Sequence, residues 1–187
     1  MILPIVAFGN PVLKQKAQEI SADYPHLNDL ISNMFQTMYT ANGVGLAAPQ
    51  VGLSIRLFVI DATPFADEEP LLKGYKKAFI NAQIIEETGD TWSFNEGCLS
   101  IPGIREDVIR QKEILIRYQD ENFNTVEEKI SGILARVIQH EYDHIEGILF
   151  TDRISTLRKT LLRSKLSNIT RGQVKVDYRM KFPMLRK

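Results

Sequence analysis

The chain has 187 residues, 44% hydrophobic and 25% charged, with 23 basic and 23 acidic side chains. That length suits one domain over residues 1–187 with a core that needs no cross-links, and a single cysteine, Cys98, excludes an intrachain disulfide framework. No run approaches the roughly 18 apolar residues that span a bilayer, and the apolar start, Met1 to Phe8, lacks a basic flank and meets the turn signal Gly9-Asn10-Pro11, so a cytoplasmic protein without a membrane partner is expected.

The zero net charge is unevenly spread. From Arg153 to Lys187 there are 11 Lys or Arg and one acid, Asp177, a net +10 that the remainder balances with −10. Such a segment is either a solvated basic face or a surface that docks on a polyanion such as RNA.

Leu27, Leu30, Ile31, Met34, Phe35, Met38 and Tyr39 recur at spacings of three and four, predicting a helix from about Pro25 to Asn42 that stops at Asn42-Gly43. Gly43-Val44-Gly45-Leu46-Ala47-Ala48-Pro49-Gln50 reads as a small-residue loop, and Ile55 to Asp61 as a strand. Asp67 to Lys77 looks like an exposed charged loop near no motif. Ala78 to Thr88 and Val108 to Tyr118 read as extended, the latter on the alternation Ile114, Ile116, Tyr118. Asn122 turns the chain, and Thr125 to Ile130 returns as the hairpin partner. A helix is predicted from Ser131 to Glu146, closed by Gly147. Another runs from Thr156 to Ile169 with Leu157, Leu161, Leu162 and Leu166 on one side, and Val174 to Tyr178 is a last short strand. Hairpins rather than βαβ units predict an α+β fold, with one helix packed centrally against antiparallel strands.

The strongest chemical signal is His140-Glu141-Tyr142-Asp143-His144. Four residues of helix put both imidazoles on one face about 6 Å apart along the axis, where their nitrogens can converge on one ion. Glu141 falls about 100° round the helix, near the open side of the ion but not a ligand, as in zinc hydrolases that pair two histidines with a general base. A catalytic site needs a third protein ligand and an open position for water. No His follows His144 and no Glu follows Glu146. His26 reads as a surface or helix-start residue. The remaining candidates are Cys98, Asp152 and Asp177, and a thiolate is the best soft ligand among them. Cys98 sits in Glu96-Gly97-Cys98-Leu99-Ser100-Ile101-Pro102-Gly103, read as a turn-rich segment between strands.

Three segments together resemble the signature motifs of the peptide deformylases: Gly43 to Gln50, Glu96-Gly97-Cys98-Leu99-Ser100, and Gln139-His140-Glu141-Tyr142-Asp143-His144. Asn10-Pro11-Val12-Leu13 and Gly147-Ile148-Leu149-Phe150 also fit, so the resemblance covers about residues 5 to 155. It implies removal of the formyl group from the N-terminal formyl-methionine of new polypeptides, in a fold whose metal helix is cradled by antiparallel sheets. It also implies Fe2+ as the native metal with Zn2+, Ni2+ or Co2+ as substitutes, where ligand chemistry alone suggests Zn2+.

On this reading Cys98, His140 and His144 are the metal ligands and Glu141 is the general base. Carried over from matching family positions, the Gln50 amide and the Leu99 N–H stabilise the oxyanion. Gly43, Val44 and Gly45 would let substrate backbone approach. Phe94, Ile133 and Val137 are candidates for the methionine pocket, Ile133 and Val137 because they share the His140 face. Arg136 interrupts that apolar approach; facing the pocket, its stem would line the rim while its charge reached water. Glu96 would orient a metal histidine or tie down its loop, and Asp143 is either a partner behind the ligands or a helix-surface acid. The basic tail would dock near the ribosomal exit tunnel, and no specific DNA partner is expected. The rival enzyme is a metallopeptidase with Asp152 or Asp177 as third ligand. A structural metal module would instead need a fourth protein ligand.

Overall fold

The computed structural model describes residues 1–184; Arg186 and Lys187, the end of the basic segment, lie outside them. Five strands form an antiparallel sheet in the order β2 (Gly45–Ala47), β3 (Leu57–Asp61), β4 (Lys76–Cys98), β5 (Ile101–Gln119) and β6 (Thr125–Ser131). A parallel pair joins β1 (Ile5–Val6) to β7 (Met180–Lys181), bringing the two ends of the chain together. The helices are α1 (Leu27–Thr40), α2 (Gly132–Ile145) and α3 (Thr156–Thr170). This is the expected α+β architecture. Helix α2 packs against β2, β3, β5 and β6 and is buried on nearly every side. A first residue at φ 68°, Gly132, lets the chain pass from β6 straight into this helix. Beneath it Phe58 and Phe79 stack at 4.8 Å and Phe79 meets Tyr118 at 4.4 Å, contacts worth about 0.5–1.5 kcal/mol each beyond their buried area.

The largest departure from the sequence reading is β4–β5, one long hairpin rather than separate strands flanking a turn-rich segment. The glycines that suggested turns are absorbed as irregularities of the ladder, with register shifts between Thr88 and Thr91 and again between Gly97 and Cys98. Such bulges bend a strand without ending it. Cys98 is therefore the last residue of β4, paired with Ile101, and Leu99-Ser100 is the two-residue link.

Smaller departures have local causes. His26, in a left-handed conformation (φ 55°), starts α1, so Pro25 lies outside the helix. Tyr39 is half exposed and donates its hydroxyl to Asp61 Oδ2 at 2.6 Å, ending the apolar face at Met38. The small-residue loop contains β2 and a 3-10 turn, Ala48–Val51. Leu72 is buried in the core, so Asp67 to Lys77 is not wholly an exposed loop, and its last residues enter β4. On α3 the inward row is Leu162 and Ile169, buried, with Leu166 half-buried between them; Leu157 and Leu161 face out. Val174 to Tyr178 alternates in burial as a strand would, but β1 pairs two residues further on, at Met180–Lys181.

Candidate metal centre

Cys98 from the end of β4 meets His140 and His144 from the middle and end of α2. Cys98 Sγ is 3.4 Å from His144 Nε2, and the ligand atoms of all three residues lie within 4.8 Å of one another. With metal–sulfur and metal–nitrogen bonds of about 2.3 and 2.1 Å, a tetrahedral ion spans a sulfur–nitrogen edge of about 3.6 Å. The cluster fits one divalent ion, and a soft sulfur with two imidazoles is a donor set for a transition metal rather than for magnesium or calcium.

No acid joins it. Asp152 pairs with Lys14 and accepts the Leu149 N–H at 2.7 Å, and Asp177 is exposed. The metallopeptidase reading with an aspartate third ligand is therefore overturned. Among the described residues the group also lacks the fourth protein ligand of a closed structural site.

Behind the ligands lies a buried ionic network that the sequence showed only in part. Glu96, two residues before Cys98 on β4, accepts from His140 Nδ1 at 2.8 Å. It also accepts from Arg110 Nε and Nη2 at 2.7 and 2.9 Å and from Arg136 Nη1 at 2.9 Å. Burial alone would raise the Glu96 pKa; the hydrogen bonds from Arg110 and His140 outweigh it and hold the carboxyl well below its ordinary range. The bond to Nδ1 leaves His140 Nε2 free for an ion. Asp143 is buried and bonded to Arg110 Nη1 at 2.8 Å and to Arg153 Nε at 2.6 Å, so it belongs to this network and not to the helix surface. Burial also drives the His144 pKa well down, which keeps that imidazole neutral as a ligand must be.

Arg136 departs most from expectation. It is 2% exposed, donates to Glu96, to Val108 O and to Trp92 O, and lies 4.8 Å from the Trp92 ring and 5.8 Å from that of Phe94. Its charge is met by Glu96 and does not reach water. The available signal was an arginine inside an apolar helix face, since a buried charge requires a partner. Nothing in the sequence singled out Arg110 or Arg153.

Glu141 is buried against β2, and its Oε2 has no hydrogen-bond partner among the described residues. Burial pushes its pKa up to about 7. Gln50, also buried, accepts the Ala47 N–H on Oε1 at 2.9 Å, which turns its amide nitrogen toward Cys98 Sγ at 3.5 Å and Ser100 Oγ at 3.4 Å. Leu99 follows Cys98 directly. Gly43 and Gly45 give room to the protein itself: a Cβ on Gly43 would stand 2.8 Å from Leu99 Cδ1, and one on Gly45 would press on Glu141. Val44 and Ile133 are half-buried, and with Val137 they pack in the core cluster around α2. Phe94 meets the Trp92 ring at a tilt of 53°, centroids 5.4 Å apart.

A helix carrying two imidazoles and a buried carboxyl, cradled by antiparallel strands that supply a cysteine sulfur, defines a metal-dependent hydrolase. Comparison with known proteins narrows the class. Residues 2–160 match the family model described as "Polypeptide deformylase". Peptide deformylases of Christiangramia forsetii and Flavobacterium johnsoniae are 60% and 58% identical, each alignment spanning 100% of this chain and 99% of the relative. The crystal structure of a Legionella pneumophila peptide deformylase is similar at TM-score 0.80 and 36% identity, over 92% of this chain and 98% of that one. That of Thermotoga maritima gives 0.75 and 41%, over 83% and 99%. The chain belongs to the polypeptide deformylase family, in its bacterial-type branch, and its reaction is removal of the formyl group from N-terminal formyl-methionine.

Proposed function

We propose that residues 1–187 act as one catalytic domain that deformylates nascent chains, with Cys98, His140 and His144 holding a divalent ion. The observation that carries this reading is the convergence of those three side chains at the helix that also carries Glu141, whose buried Oε2 has no hydrogen-bond partner among the described residues. When bound, the ion polarises the formyl carbonyl and lowers the pKa of an adjacent water. Glu141 accepts a proton from that water and returns it to the leaving amine, a task suited to a carboxyl with a pKa near 7. The Gln50 amide and the Leu99 N–H donate to the oxygen on which negative charge develops. The bond from the Ala47 N–H keeps that amide from turning away. Glu96 holds the His140 ring in place.

The methionine side chain is received by Phe94, Ile133 and Val137, with Val44 beside them, while Gly43 and Gly45 leave space for Leu99 and Glu141 to stand close to the substrate. The native ion is Fe2+, with Zn2+, Ni2+ and Co2+ as substitutes. No helix among the described residues is long and apolar enough to cross a membrane, and we place the enzyme in the cytoplasm beside the ribosome. Arg163, Lys165 and Arg171 are exposed and available for ribosomal RNA, whereas Arg158 is tied to Glu106 at 2.8 Å.

The test is formate release from formyl-Met-Ala-Ser by protein reconstituted anaerobically with Fe2+. Wild type should release formate and Glu141→Ala, with its metal retained, should not. A folded, metal-loaded wild type that releases none overturns the reading.

A further inference from the structure

Leu99 and Ser100 link β4 to β5, and their backbone is held by segments distant in sequence. Phe8 N–H donates to Ser100 O at 2.8 Å, and Gln50 Nε2 lies 3.4 Å from Ser100 Oγ. The Leu99 carbonyl takes its bond from the Tyr178 hydroxyl at 2.8 Å, across 79 positions of sequence. Tyr178 lies beyond residue 160, where the match to the family model ends. Its ring is half-buried in the same apolar cluster as Leu99, Leu46 and Met38. The backbone that follows it is anchored to the N-terminal strand, through Ile5 N–H to Arg179 O at 2.9 Å and Ala7 N–H to Lys181 O at 3.0 Å.

We propose that Tyr178 is a positioning residue for deformylation: its hydroxyl, held by the β1–β7 pairing, fixes the peptide plane after Leu99 and, through the shared Leu99 Cα, restrains the preceding plane whose Leu99 N–H is aimed at the developing oxyanion. Cys98 is fixed on one side of Leu99, and Phe8 fixes Ser100 on the other. The carbonyl between them is the remaining freedom of a two-residue link, and Tyr178 removes it. An oxyanion donor acts only when it is aimed before charge appears. The ring buries apolar surface with or without its oxygen, so the hydroxyl's contribution is directional. This inference rests on the role assigned above to Leu99.

Steady-state kinetics on formyl-Met-Ala-Ser should compare Fe2+-loaded wild type, Tyr178→Phe and Arg179→Ala, with metal content and thermal midpoint measured for each. Tyr178→Phe keeps the ring; Arg179→Ala alters the same segment without touching Leu99. The expected result is a kcat roughly 5–20-fold lower for Tyr178→Phe with KM within about two-fold, less than the full loss of a donor, and with metal content and midpoint unchanged. Arg179→Ala should retain wild-type kcat. An unchanged kcat in Tyr178→Phe overturns the proposal, as does a fall that tracks lost metal or a lower midpoint. An equal fall in Arg179→Ala overturns it too, since the segment would then act only as scaffold. If wild type itself releases no formate, the deformylase reading fails first and this one with it.

Discussion

Gly45 on β2 and Glu141 on α2 are in contact so close that a Cβ on Gly45 would stand 2.4 Å from Glu141 Oε1 and 2.7 Å from its Cδ. A methyl group there must displace the carboxylate, because contacts that short cannot stand between non-bonded atoms. Gly45→Ala should therefore lower kcat by about 10²–10³-fold, within the range that general base catalysis supplies. Metal content should stay at the wild-type level, since Gly45 touches no ligand in this contact. Kinetics with parallel metal analysis checks this. Wild-type kcat in a folded Gly45→Ala protein would mean that Glu141 is not held where the mechanism needs it.

Cys98 supplies the only sulfur among the three clustered ligands. Cys98→Ser should weaken metal affinity by at least 100-fold, because a neutral hydroxyl replaces a thiolate. Chelator competition should show that loss with the fold intact by circular dichroism. Tight metal binding in Cys98→Ser would assign the third ligand elsewhere.

Legibility followed the range of each interaction. The two histidines and Glu141 share one helix, so spacing alone placed them on neighbouring faces. Helices α1 and α2 were readable because their apolar rows repeat locally. Cys98 as a ligand was reached by elimination, and its seat at the end of a long strand was not, since the irregularity at Gly97 looks like a turn in sequence. The partners of Arg136 lie 28 to 44 positions away, and that of Tyr178 lies 79 away. Such contacts are set by how β4 and β5 fold over α2, which no local pattern encodes. On α3, Leu157 and Leu161 suggested a buried face, but β5 meets the row carrying Leu162, leaving those two leucines in solvent.

Arg163, Lys165 and Arg171 stand exposed on and just after α3, and their charge is free to meet phosphate. Replacing all three with alanine should reduce ribosome co-sedimentation at low salt several-fold, and added salt should weaken the wild type in the same direction. Activity on a short peptide should not change. Unaltered co-sedimentation would refute docking through this face.

Glu96 should make acid stability depend on this network. Its folded-state pKa is depressed, so its contribution is complete above the unfolded value near 4.5 and is lost as pH falls toward the folded one. With chelator present to remove metal effects, the urea midpoint of wild type should drop as pH goes from 5 to 3. Glu96→Gln should be less stable than wild type at pH 7 and should lose less over that interval. Parallel acid limbs for the two proteins would show that Glu96 is not held ionised by its partners.

Arg110 and Arg136 both donate to Glu96, yet removing them should not cost the same. Arg110 also bonds Asp143, so Arg110→Met leaves two buried carboxylates short of a partner. Arg136→Met leaves Glu96 with Arg110 and His140, while the methionine can fill the space beside Trp92 and Phe94. Breaking a buried ion pair from one side costs about 3–5 kcal/mol. Arg110→Met should reach that range by urea denaturation, and Arg136→Met should fall below it, at about 1–2 kcal/mol, because Glu96 stays paired. Arg136→Ala should exceed Arg136→Met, since it adds a cavity to the lost hydrogen bonds. His140 sets a second readout: Arg110→Met removes two of the bonds that hold the Glu96 carboxylate and leaves Arg136 on Oε1 alone, so the hold on the His140 ring loosens and metal affinity should weaken about 10–100-fold. A larger stability loss in Arg136→Met than in Arg110→Met would reverse the roles assigned to the two arginines.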